Sequence, residues 1–100
     1  MSVCEQARLY LKRHPAPAVA AYPDFCKEVG HRPDVVRFLM KAEGKPWAKL
    51  RDEYLKSEAG RLLKVYKGVK VAQLLGYTNP GSFYSAYERW HGRRIRKNLQ

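Results

Sequence analysis

The stretch VAQLLGYTNPGSFYSAYERWHG, Val71 to Gly92, decides the fold. Ala72 is small enough to let two helices pack closely, and Gly76, four residues later, can take the left-handed conformation that ends a helix. Asn79-Pro80 is a start signal for the next helix, with Asn79 as N-cap and Pro80 in the first turn. Phe83, Ala86, Tyr87 and Trp90 then recur at i, i+3, i+4 and i+7, which is one apolar helix face. A short helix, a glycine-punctuated turn and an aromatic-rich second helix make a helix-turn-helix.

Working outward, helical signals dominate and alternating apolar/polar runs are missing, apart from the ambiguous Val65–Val71 stretch. A first helix carries Ala7, Tyr10 and Leu11 and ends at His14-Pro15; residues 15–21, PAPAVAA, read as a linker with two prolines. Tyr22-Pro23-Asp24 opens a second helix with Phe25, Cys26 and Val29, stopped by Gly30. A third starts at Arg32-Pro33 or Pro33-Asp34 and runs to about Glu43, stopped by Gly44. Its inward face is either Val36 with Leu39, or Val35 and Phe38 with Leu39. Lys45-Pro46 opens a long fourth helix to about Lys64, carrying Trp47, Leu50, Tyr54, Leu55, Ala59, Leu62 and Leu63, with Gly60 inside it. A fifth runs from about Val69 to Leu75 and a sixth from Pro80 to His91.

Two of these segments are alike. Phe25-Cys26-x-x-Val29-Gly30 parallels Val71-Ala72-x-x-Leu75-Gly76, and each is followed by a proline-started helix that ends at a glycine. The offset is 46 residues from Gly30 to Gly76 and 48 from Gly44 to Gly92. A duplicated helix-turn-helix on a rigid spacer follows. The expected fold is all-α, about six to seven helices, with an N-terminal subdomain over 1–45, a linker helix over 46–64 and a C-terminal subdomain with a basic tail over 65–100.

Twenty Lys and Arg against nine Asp and Glu give a net charge of +11, a statement about partners rather than fold. Nucleic acid, an anionic membrane or an acidic protein would suit it. In such a chain a helix-turn-helix points to a helix presented to the major groove of duplex DNA. With 45% hydrophobic residues the chain can build a core. No apolar run approaches the roughly 20 residues of a membrane span, and the N-terminus lacks a signal-peptide core, so a cytoplasmic place is expected. Cys4 and Cys26 are too few for a disulfide framework, and a Cys26/His31 metal site would need two further ligands. No phosphate-binding glycine loop, nucleophile pair or carboxylate dyad is visible; neither enzyme activity, nor a cofactor, nor a metal is expected. Phe83, Tyr87 and Trp90, like Trp47 and Tyr54, have the spacing of core residues rather than of a stacking platform for single strands.

The chain resembles the DNA-binding domain of the AraC/XylS transcription regulators. Val71-Ala72, Gly76-Tyr77, Phe83, Tyr87, Arg89 and Gly92 stand at the spacings of the family's second motif. Cys26, Gly30, Gly44, Trp47, Leu50, Ala59, Leu62 and Leu63 match its first motif and linker helix, and the resemblance spans about residues 5–95. The Gly30–Gly44 segment is about one residue shorter than usual, Leu55 stands where arginine is common, Glu88 where a basic residue is, and Ile95 in place of a proline.

The resemblance implies a bacterial transcription regulator of the nucleoid, usually an activator contacting RNA polymerase. It would insert two recognition helices into successive major grooves as a monomer. One hundred residues leave no room for a sensor domain, so the expected likeness is to the short stand-alone members, of the MarA and SoxS type, controlled by abundance. Arg37 points outward in both registers of the third helix and is the expected guanine reader. Arg32, Asp34 and Lys41 flank it, and Gly81, Ser82 and Ser85 complete the base-contact set on the sixth helix. Thr78, Asn79, Tyr84, Arg89, Arg93 and Arg94 are the phosphate candidates, with Arg96 and Lys97 behind them. Two alternatives stand beside this one: a phage or mobile-element protein that represses by occluding its site, and a protein-interaction module on the same fold.

Overall fold

The computed structural model describes residues 2–92. Six α-helices follow one another: α1 Val3–Arg13, α2 Tyr22–Val29, α3 Pro33–Ala42, α4 Trp47–Leu62, α5 Gly68–Leu75 and α6 Pro80–His91. One turn of 3-10 helix, Pro17–Val19, lies between α1 and α2, and there is no strand among the described residues. Proline sits in the first turn of α2, α3 and α6, where its fixed φ suits the helix and its missing N–H loses no bond. The fold is all-α with two helix-turn-helix units, as the sequence predicts.

The first helix of each unit ends on a glycine of the same conformation. Gly30 ends α2 at φ 85°, ψ 20°, and Gly76 ends α5 at φ 90°, ψ 18°, a left-handed region that any side chain disfavours. Two segments 46 residues apart in sequence therefore begin their chain reversal with the same glycine conformation, three residues (30–32) then joining α2 to α3 and four (76–79) joining α5 to α6.

Each unit has its own apolar cluster. Val3, Cys4, Ala7 and Leu11 of α1 pack with Phe25 and Cys26 of α2, Val36 and Met40 of α3, and Leu50 of α4. Trp47 stacks on Phe25 at 5.0 Å between ring centroids, with Tyr10 5.5 Å from Phe25. The second cluster joins Leu55 and Ala59 of α4 to Val71, Ala72, Leu75 and Phe83. Phe25 and Phe83 are fully buried, each contributing about 1.5–3 kcal/mol of apolar transfer. α4 is common to both clusters: Leu50 serves the first, Leu55 and Ala59 the second, and Tyr54 packs against both. The molecule is elongated, 43 × 25 × 20 Å.

Polar contacts fix how the helices enter these clusters. Glu43, just past α3, accepts the Cys4 N–H at 2.8 Å and the Val3 N–H at 3.1 Å. It thus caps the first turn of α1, whose leading N–H groups have no partner within their own helix. The Tyr22 hydroxyl donates to the Pro33 carbonyl and ties the start of α2 to the start of α3. Arg51 of α4 donates to the Ala20 carbonyl at 3.2 Å, and Arg89 of α6 to Asp52 of α4 at 2.8 Å.

Two points that the sequence leaves open are decided, and one reading is revised. The α3 register is the Val36 one, with Val36 and Met40 buried and Leu39 half-buried, while Val35 and Phe38 face outward. Residues 15–21 are more than a linker: Pro17 and Ala20 are buried, and Ala18 packs on the second cluster. The fourth helix ends at Leu62 and the fifth starts at Gly68, so Val65–Val71 is a turn followed by helix.

Candidate nucleic-acid interface

α3 and α6 occupy the same position in their units, the second helix after a glycine turn. The side chains of α3 sort by helical geometry, 100° per residue. Val36 and Met40 point into the core, so the opposite face carries Asp34, Phe38 and Lys41, with Arg37 on one flank and Val35 on the other. All five are exposed.

Arg32 and Asp34 form a two-pronged pair at the start of this helix, Nε to Oδ1 at 3.2 Å and Nη2 to Oδ2 at 2.8 Å. The Arg32 guanidinium holds the Asp34 carboxyl below the usual carboxylate range, helped by backbone N–H groups of the first turn. Arg37 lies 6.0 Å from the Tyr22 ring centroid, within cation–π range. Its guanidinium thus stands over an aromatic face while the side chain stays exposed to solvent. Lys41, one turn further, carries the next positive charge.

The outward face of α6 is built differently. Asn79 caps the helix: its Oδ1 accepts the Ser82 N–H at 2.9 Å and lies 3.3 Å from the Ser82 hydroxyl. Gly81 has no side chain, and a Cβ there would stand 3.1 Å from Asn79 Oδ1. Ser85 is exposed, as are Thr78 in the turn and Gly81 and Ser82 in the first helical turn. Tyr84 is half-buried, its ring 5.8 Å from that of Phe83. Small groups on this face let the backbone come close to a partner surface.

No family model and no curated protein matches the sequence. Among solved structures, the crystal structure of a DNA-binding transcriptional dual regulator from Escherichia coli K-12 matches at a TM-score of 0.78 and 14% identity, over 94% of this chain and 91% of that one. The two chains share one fold. The match runs through both helix-turn-helix units and α4, since it leaves out only a few residues of this chain.

On that shared fold, the candidate residues fall into three groups. Arg32, Asp34, Arg37 and Lys41 are together on the exposed side of α3, and Thr78, Asn79, Gly81, Ser82 and Ser85 are together around the start of α6. Arg89 stands apart, since its guanidinium is engaged by Asp52 of α4. Arg93 and Arg94, with Arg96 and Lys97, lie outside the described residues. Phe38 is the residue that sequence reasoning missed. It counted as a core candidate in one register, yet 71% of its surface is exposed. The signal that could have placed it is the Val36/Met40 pair, an i, i+4 apolar spacing that puts Phe38 opposite the core.

Proposed function

We propose that the protein is a sequence-specific, double-stranded-DNA-binding transcription regulator that reads its site as a monomer. The observation that carries this is the duplicated helix-turn-helix, the first helix of each copy ended by a left-handed glycine, Gly30 and Gly76, in a chain of net charge +11. The shared fold with a regulator described as DNA-binding supports it. So does the shape: a 43 Å long axis accommodates two helices about 34 Å apart, one turn of duplex.

In this reading α3 does most of the base discrimination. Arg37 pairs with guanine O6 and N7, worth about 1–3 kcal/mol against the wrong base. Arg32, oriented by Asp34, and Lys41 add contacts on either side. α6 docks closely through Gly81, Ser82 and Ser85, with Thr78, Asn79 and Tyr84 toward the phosphates, so this half leans on backbone contact and duplex shape.

The test is a salt titration of affinity for duplexes selected from a randomised pool. Each phosphate neutralised contributes about −0.9 to the slope of log K against log salt. A steep negative slope is expected, together with a loss of site preference in Arg37→Ala. A flat slope would leave only the interaction-module alternative. The AraC/XylS resemblance favours activation through RNA polymerase. A promoter-reporter assay reads the sign: output rising with protein marks an activator, falling output an occluding repressor.

A further inference from the structure

The chain has three phenylalanines, and two are core: Phe25 is 1% exposed and Phe83 fully buried. Phe38 is 71% exposed. It sits two residues from both Val36 and Met40, about 200° around the helix from each, so its ring stands at the centre of the outward face of α3. Its helical neighbours on that face are Asp34 at i−4 and Lys41 at i+3, with Val35 at i−3 partly exposed beside it. Asp34 is occupied by Arg32. The face therefore presents an apolar tip framed by Arg37 and Lys41.

We propose that Phe38 is a specificity-determining residue that packs its ring against the 5-methyl group of a thymine in the major groove. The inference rests on the DNA-binding reading above and goes beyond it to one base. A helix lying in the major groove brings the centre of its outward face closest to the base edges, and among the groups displayed there the thymine methyl is the apolar one. The cations beside Phe38 match the phosphates and guanines around such a site, while a phenyl ring has nothing to donate or accept. Arg37 and Phe38 would then read neighbouring base pairs by different chemistry, one by hydrogen bonds and the other by exclusion of water from a methyl group.

The experiment is a two-by-two cycle on duplexes selected by the wild-type protein, made with thymine or with deoxyuridine at single positions, against wild type and Phe38→Ala. Burying one methyl predicts that uracil at the contacted position weakens wild-type binding about fourfold. Phe38→Ala should bind the thymine duplex correspondingly more weakly and no longer distinguish the two. Because Phe38 is exposed, the variant should unfold at the wild-type temperature, which confirms that the comparison is between folded proteins. Equal wild-type affinity for the thymine and uracil series at every position would overturn the inference, as would an undiminished thymine preference in Phe38→Ala. Absence of any duplex binding by the wild type would overturn the DNA-binding reading itself, and this inference with it.

Discussion

Ala16 lies so close to Gly76 that a Cβ on the glycine would stand 2.3 Å from the Ala16 Cβ and 2.6 Å from its Cα. This contact brings the segment between α1 and α2 against the turn of the C-terminal helix-turn-helix. With Ala18 on the second cluster and Ala20 in the first, the segment runs beside α4 as a second connection between the two cores. The relative placement of α3 and α6 is therefore held by two strands of chain rather than by one helix.

Gly76 and Gly30 make a controlled comparison. Both have positive φ, but a Cβ at Gly30 would meet nothing within 4 Å. Gly30→Ala should lose about 1–2 kcal/mol, the left-handed penalty alone. Gly76→Ala should lose that and roughly 1–3 kcal/mol more from overpacking. Adding Ala16→Gly should restore little of the difference, since the Ala16 backbone is itself in the way. Urea unfolding of the three variants checks this; equal losses for the two single alanine variants would mean that the segment around Ala16 does not touch the turn.

The phenylalanines of α3 and α6 should behave in opposite ways. Phe83→Ala empties the centre of the second cluster and should lose about 3–5 kcal/mol. Phe38→Ala removes an exposed ring and should change stability by less than about 0.5 kcal/mol. Thermal unfolding measures both. A large loss on Phe38→Ala would return that ring to the core and contradict the α3 register.

Acid should loosen the junction of α1 and α3. The Glu43 carboxyl is held below its usual range, the Cys4 N–H foremost among the causes and the Val3 N–H assisting. A group with a depressed folded pKa contributes stability in full above its unfolded value, here 4.5, and loses it as pH falls through the folded value. Glu43→Gln should therefore be less stable than wild type near neutrality, and the gap should narrow as pH drops below about 4.5. Asp34 and Glu53, also depressed by Arg32 and Lys45 respectively, should keep some acid sensitivity in the variant. Chemical unfolding between about pH 3 and pH 7 is the measurement; a gap that stays constant across this range would contradict the capping role.

What was legible in the sequence was local. Gly76, Asn79-Pro80 and the Phe83–Trp90 spacing each act within two turns of chain, and α6 begins and ends where they direct. The α3 register was harder, because Val35, Val36, Phe38, Leu39 and Met40 place apolar groups on both faces. Tertiary contacts resolve it, with Glu43 reaching α1 and Tyr22 holding Pro33. Arg89 reads equally well as a phosphate contact or an ion-pair donor, and its partner Asp52 is 37 residues away. The segment around Ala16 reads as a proline linker for the same reason: the residue it meets, Gly76, lies in the other helix-turn-helix.

The central claim is that one chain presents two recognition helices to one face of a duplex. A hydroxyl-radical footprint on a selected duplex, with the protein-to-DNA ratio determined by sedimentation, tests it most directly. The account predicts two protected tracts about 10 base pairs apart, centre to centre, with one protein bound. A single protected tract, or two tracts that appear only when two proteins are bound, would contradict it.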